Sequence, residues 1–544
     1  MATISAAIGS LSSNIPAVVG AVLVTTVLSA LGFYLYNTPS SWKDSRRKKL
    51  PPGPGGLPFV GNLMDMADAE NFHEKAVEWG QNYGDLTYTR MGGTDYVWLN
   101  TPKAVKDIMD KRSSIYSSRP PAPLASDVAS AGRRQLFLPY GPHWKGLRKS
   151  GHVLLNLNAA VKYQPIQDFE SKQLMVDLLE SPASFYDHNR RYSSSLIFQT
   201  TYGYRIKSFD DPRFKQIYAV LNSFTQMSAP GAYAVDSFPS LAALPDWMLG
   251  GWRKFGKQCF DQHSKVYLEL WLDLKKQVEA GTAKECFCKD YYLSDLEKQG
   301  IDDLQAAYMC GGMLEAGSET TSSTLNNFTF LMTQNPHAVK AAQEELDRVV
   351  GPNRLPTWED EPKLPYVRAL IKEVLRHRPP NKFGIGHSSS EDDWYEGFFM
   401  PKGTVVMINW WAIHRDDKRY PDPMKFEPAR YINHSRSAAE YAMAGDPNER
   451  DHFSYGSGRR ICQGIHLAEK SLFINIARQL WGFNISKTTR PDGSEIEPHN
   501  AWVPGWMCVP QPFQASITPR SKKHESIMRK EFEIAEAQGL EIKA

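Results

Sequence analysis

Cys462 ends the run Tyr455-Gly456-Ser457-Gly458-Arg459-Arg460-Ile461-Cys462, and Gln463-Gly464 follow it. Two glycines permit a tight, closely approached backbone, and two arginines bring positive charge beside the sulfur. An apolar, amphipathic run from Ile465 to about Trp481 comes next, so the cysteine sits in a loop just ahead of a helix. Helix-terminal amides and nearby cations favour a thiolate over a thiol. A thiolate so placed is a nucleophile or a metal ligand. A cysteine that merely fills a core needs neither Gly456 and Gly458 nor Arg460.

Four other groupings carry chemistry. Trp144 and Arg148 are helical i, i+4 neighbours on one face, and both donate hydrogen bonds. Ala316-Gly317-Ser318-Glu319-Thr320-Thr321 lies inside a single helical pattern running from about Asp302 to Thr333, with no proline before Pro336. Ala316 and Thr320 share a face with Met309, Met313 and Thr324, and small residues there let another body approach closely. A threonine inside a helix ordinarily returns its hydroxyl to the preceding turn. Glu373 and Arg376 are spaced for an ion pair within one helix. Beyond that helix, Arg378-Pro379-Pro380-Asn381-Lys382-Phe383 leads to His387, with Lys382 unusual among apolar neighbours. A lysine there either pairs with an acidic or phenolic ligand or reaches water along its own stem.

The elements around these groups read as one large domain. No repeat or long linker divides the 544 residues, and a net charge of +3 leaves no nucleic-acid footprint. The six cysteines are too sparse for a disulfide framework and suit a reducing compartment. Cys286-Phe287-Cys288 lacks the second Cys or His pair that zinc requires. Leu86–Thr89 and Tyr96–Leu99 read as short strands about the turn at Gly92-Gly93. Residues 112–135 read as an irregular loop, 150–300 as helical, and Trp247, Trp252 and Trp271 as core or membrane-contact residues.

Residues 1–42 carry no charged side chain, and Ile15 to Tyr36 is long and apolar enough to cross a bilayer. Lys43, Arg46, Arg47, Lys48 and Lys49 follow it, an order that fits a retained anchor rather than a cleaved leader and places the remainder in the cytosol. The proline-rich stretch Pro51–Pro58 is a stiff spacer. The expected layout is an anchor at 1–42, a basic cluster and hinge at 43–58, a catalytic domain at 59–520, and a charged tail at 521–544.

The cysteine segment resembles the haem-binding loop of the cytochrome P450 monooxygenases, Phe-Gly-x-Gly-x-Arg-x-Cys-x-Gly, and departs from it only at Tyr455. The resemblance extends in consistent order from about residue 51 to 520 and is strongest to microsomal and fungal members. It implies a mainly α (α+β) fold with a small β-rich region. It implies haem b, with Cys462 as the axial iron ligand and Trp144, Arg148 and His387 on the propionates. Glu319 and Thr320 are then expected to organise proton delivery. Glu373 and Arg376, joined by Arg430, are expected to form a structural triad. Ala316, Pro380, Lys382 and Phe383 are expected to line the substrate pocket, with the tip of the 502–508 turn reaching it. The implied reaction inserts one oxygen atom from O2 into an organic substrate. Electrons would come from NADPH through a separate reductase, with cytochrome b5 a second candidate donor, drawn to Lys145, Arg148, Lys149 and Arg459. The expected address is the endoplasmic reticulum membrane, single-pass, in secondary metabolism or catabolism. Two other haem readings compete: a haem-thiolate isomerase or dehydratase that needs no reductase, and a non-enzymatic haem protein.

Overall fold

The computed structural model describes residues 44–539 and Ser29, apart from 59, 67–70, 229–230, 295 and 504–506. The expected anchor span at 15–36 therefore lies outside the described residues except for Ser29. Among the described residues, no helix is long and apolar enough to cross a membrane. The tip of the 502–508 turn also falls outside them.

The architecture is mainly helical with three small sheets. In chain order the principal elements are α1 (Phe72–Tyr83), β1 (Leu86–Met91), β2 (Thr94–Leu99), α2 (Pro142–Leu155), α3 (Gln164–Glu180), α4 (Phe185–Tyr202) and α5 (Pro212–Ser228). There follow α6 (Trp252–Glu279), α7 (Asp303–Gln334), α8 (Pro336–Val349), α9 (Pro365–His377), and the strands β3 (His387–Ser388), β4 (Asp393–Tyr395), β5 (Phe398–Met400) and β6 (Val405–Ile408). α10 (Ile465–Gly482), β7 (Phe483–Lys487), β8 (Ala515–Pro519) and α11 (Lys522–Gln538) complete the chain.

α7 runs through the middle. Asp302 caps it by accepting the Gln305 amide at 2.6 Å, and it ends at Asn335, ahead of Pro336. Gly311 and Gly317 let its neighbours close in. A Cβ on Gly311 would lie 2.4 Å from the Tyr267 ring of α6, and one on Gly317 would lie 2.6 Å from Ile197 of α4. The main apolar core forms around these helices and takes in α3, α9 and α10.

A second core lies under the four-stranded sheet, ordered β1-β2-β6-β3. β1 and β2 pair antiparallel from Leu86↔Leu99 to Met91↔Thr94, two residues further toward the turn than the sequence suggests. β2 runs parallel to β6, and β3 closes the sheet with His387 opposite Val406. Phe72, Ala76 and Trp79 bury one stripe of α1 against this sheet.

The stiff stretch and the basic cluster before it are tied to the sheet: the Tyr88 amide donates to Pro52 O at 2.8 Å, and Arg47 forms a two-pronged pair with Asp95 at 2.7 and 2.8 Å. The charged stretch beyond 520 is helical. It forms α11, with Met528 fully buried, His524 against Trp481, and Phe532 against Phe169 of α3.

The buried pair on α9 ties the helical and sheet halves together. Arg376 donates to both Glu373 oxygens, at 2.6 and 2.7 Å, and also to the His414 and Pro423 carbonyls. Arg430 stands 3.7 Å from Glu373, while the shorter bond to that carboxylate comes from the Glu427 amide at 2.9 Å. Removing one partner of a fully buried pair strands the other charge in a medium that cannot solvate it. Arg376→Ala is therefore expected to cost about 3–5 kcal/mol, read as a large fall in the thermal unfolding midpoint; a midpoint unchanged from wild type would show that the pair is not structural.

Candidate haem-thiolate site

The cysteine loop is built from close backbone approaches. Gly458 has φ +66°, and a Cβ on it would lie 2.1 Å from the Met109 carbonyl oxygen, so only glycine fits. Asp110 holds this turn by accepting from Gly458 N at 2.8 Å and Ser457 Oγ at 2.9 Å. The Cys462 amide then donates to Tyr455 O at 2.9 Å, which curls the loop under the start of α10. Cys462 is accessible despite its depth in the protein.

The expected bias toward thiolate is not what dominates the bare site. Burial pushes the Cys462 thiol up, while the Gly464 amide and Arg148 only pull in the other direction. A thiolate in this loop thus needs a stabilising partner beyond the Gly464 amide and Arg148.

Four cationic or basic groups converge beside it. Trp144 is buried, with the Arg460 guanidinium 4.1 Å over its ring and that of Arg148 at 6.0 Å. Arg148 also donates to the Ile461 carbonyl. Arg460 reaches the carbonyls of Ser117 at 2.9 Å and Leu138 at 2.6 Å. His387 donates from Nδ1 to Tyr116 O at 2.8 Å, leaving Nε2 as its second nitrogen.

Arg119 completes the group. It donates to the carbonyls of Leu136 at 2.9 Å, Ile385 at 2.6 Å and Gly386 at 2.8 Å. Sequence reasoning missed it within an irregular loop. The signal available was four arginines, at 112, 119, 133 and 134, in a stretch with the single acid Asp127.

Burial weakens every one of these bases, taking Arg148 to about 10 and Arg460 to about 9, and holding Arg119 and His387 well below their ordinary values. Their charged neighbours are mainly one another: Arg460 and Arg148 act on Arg119, Arg148 on Arg460, and Arg119 and Arg460 on His387. No ion pair to a carboxylate joins Arg119, Arg148, Arg460 or His387 among the described residues. Buried positive charge in excess fits a ligand that brings its own carboxylates. Haem b carries two, so this donor set and an accessible cysteine fit that cofactor.

α7 passes the cysteine loop at Met309, which converges with the loop's Gln463 on Gly151 of α2. Ala316 is the open position on the stripe it shares with Met309 and Thr320. Thr320 Oγ1 donates to Ala316 O at 2.8 Å, the ordinary return bond, and keeps its lone pairs available. Burial raises the Glu319 carboxyl, partly offset by Arg190 of α4, so this acid retains its proton more readily than a surface glutamate.

Phe383 is buried in the sheet core, edge-on to Phe72 and Trp98 at 5.5 and 5.2 Å. Pro380 accepts the Cys508 amide at 2.9 Å. Lys382 is 3% exposed, so it neither reaches bulk water nor offers a surface charge, and it lies close enough to Cys508 to act on that thiol. From this segment it is Ile385, two residues past Phe383, that joins the apolar roof of Leu124, Phe137, Met227 and Trp252. Tyr455 is half-buried with its ring 5.5 Å from that of His452, and its hydroxyl makes no hydrogen bond among the described residues, to sulfur or otherwise.

Residues 51–516 match the family model described as Cytochrome P450. The chain belongs to the cytochrome P450 family. It is 43% identical over 502 residues to cytochrome P450 monooxygenase verL of Clonostachys rogersoniana, covering 92% of each chain. It is 39% identical over 491 residues to monooxygenase virE of Hypocrea virens, covering 90% of this chain and 88% of that one. It is also 39% identical over 484 residues to monooxygenase fogE of Aspergillus ruber, covering 88% of each. This P450 is therefore an enzyme of the monooxygenase class, with haem b as cofactor and NADPH serving it through a reductase.

Proposed function

We propose that this P450 inserts one oxygen atom from O2 into a small, largely apolar organic molecule, in fungal secondary metabolism or catabolism. One observation carries the reading: an accessible cysteine in a glycine-built loop stands beside half-buried arginines that have no carboxylate partner among the described residues. When bound, haem supplies activation of O2 by two electrons and two protons.

The chain's residues do the rest. Cys462 binds the metal through sulfur, and Arg119, Arg148, Arg460 and His387 hold and orient the carboxylates. Glu319 stores a proton on its carboxyl, and the Thr320 hydroxyl passes one toward the open face beside Ala316. The roof of Leu124, Phe137, Met227, Trp252 and Ile385 excludes water and selects apolar bulk. Lys145, Lys149 and Arg459 are exposed on the cysteine side and suit an acidic electron donor. We further propose that residues 15–36 anchor the chain in the endoplasmic reticulum membrane. The exposed Trp247, 82% accessible, and Met248 are suited to rest on the lipid surface.

Three outcomes are expected. The reduced protein gives the red-shifted Soret band with CO, and Cys462→Ala abolishes it; persistence of the band in that variant rules out Cys462 as the ligand. Glu319→Gln keeps the band but slows product formation with reductase, NADPH and O2 by about 10²-fold, whereas full-rate turnover, or turnover with no reductase present, contradicts these proton and electron routes. Deleting residues 1–42 moves the protein from the carbonate-resistant membrane pellet toward the supernatant, and a variant that stays fully pelleted would show that another surface holds the membrane.

A further inference from the structure

A buried polar cluster lies at the edge of the apolar roof, and the monooxygenase mechanism makes no use of it. Its centre is Glu315, on α7 immediately before the open Ala316. Arg134, 2% exposed, donates from Nη2 to Glu315 Oε1 at 2.7 Å, and the Tyr267 hydroxyl of α6 donates to the same oxygen. Arg134 also donates to His263 Nδ1 at 3.1 Å, and His263 Nε2 meets Ser223 Oγ of α5 at 2.7 Å. Because Nδ1 accepts, Nε2 carries the proton and donates to the serine. Burial, followed by Arg134, takes His263 down to about 3, so the imidazole stays neutral across the physiological range.

Both Glu315 bonds fall on one oxygen. Oε2 accepts no hydrogen bond among the described residues, yet it is not one of the sealed, unpartnered buried atoms. That oxygen therefore keeps accessible surface, one residue before the open Ala316. The cluster borders apolar rings through Arg134. The Arg134 guanidinium lies 4.9 Å over Phe224, which stacks on Phe137 of the roof at 6.1 Å. A single acceptor held rigid from two directions, in an otherwise apolar roof, is the arrangement that fixes the orientation of a ligand.

The charge state decides the ligand class. Arg134 already neutralises Glu315, so a cationic ligand would leave the cluster with net buried charge, which is costly. A neutral N–H or O–H meets the open oxygen without that cost. We propose that Glu315 Oε2 is a specificity determinant that accepts a hydrogen bond from a neutral amide, indole or hydroxyl donor on an otherwise apolar substrate. This deepens the monooxygenase reading and rests on it.

The test uses the full-length haem-loaded protein and two matched probe pairs, carbazole with N-methylcarbazole and 2-naphthol with 2-methoxynaphthalene. Dissociation constants are read from the substrate-induced shift of the Soret band. Wild type is expected to prefer the donor member of each pair by about 10- to 100-fold, the range for a hydrogen bond to a charged group. Glu315→Gln and Glu315→Asp, which weaken or retract the acceptor, are expected to shrink that ratio toward unity while the CO band stays intact. Tyr267→Phe, which touches only Oε1, should leave the preference in place. Equal binding within both pairs by wild type overturns the assignment, whether or not either Glu315 variant folds. A preference that survives in both Glu315 variants overturns it as well, since the donor is then read elsewhere. Loss of the CO band from wild type would instead strike at the haem-thiolate reading itself, so the two failures are distinguishable.

Discussion

Buried positive charge in excess is the constraint on which this structure turns. Arg119, Arg148 and Arg460 are half-buried, with mainly backbone carbonyls and one another for company, and desolvation lowers all three from the usual guanidinium range. Such a group is tolerable only because each guanidinium has several donors that carbonyls can satisfy, and because an anionic ligand completes the set. The carbonyls concerned come from segments far apart in the chain, at 117–138, at 385–386 and at 461. The cations therefore hold together the loop over the substrate, the strand that follows α9, and the cysteine turn. Cofactor and tertiary fold depend on the same side chains.

The rest of the molecule is arranged to keep that centre rigid and enclosed. The Glu373–Arg376 pair sits between α9 and the chain leading to the cysteine loop, donating onward to the carbonyls of residues 414 and 423. α7 can pass near the cysteine because it presents small residues to its neighbours on either flank. Beside it an apolar cluster draws on separate segments that include Leu124, Phe137, Met227, Trp252 and Ile385, with the Arg134–Glu315 pair at its margin. A binding space of this composition accepts many greasy shapes. The margin is where discrimination between them is placed.

Much of this was legible in the sequence, for reasons that differ by element. The cysteine loop was legible because Gly458 and Arg460 answer to local geometry: a left-handed turn against a carbonyl, and a fork reaching three carbonyls. α7 was legible from its unbroken helical pattern between about Asp302 and Pro336. Arg119 was not, because its partners are backbone oxygens remote in sequence and carry no residue signature. The packing of Phe383 against Phe72 and Trp98 was not legible, because an apolar residue there can face either of two cores and only the sheet decides which. The burial of Lys382 was not legible either: long stems ordinarily carry lysines outward, and here the chain encloses it. The bare thiol of Cys462 was expected to ionise from its helix and its arginines, but depth outweighs both.

α11 shields a flank that the cysteine helix cannot cover by itself. Its His524, Met528 and Phe532 cover parts of α3 and α10 that would otherwise face water, including the Trp481 and Phe169 rings. α10 begins directly after the cysteine loop. Losing α11 would leave an apolar patch on the back of that helix, and such patches invite association between molecules.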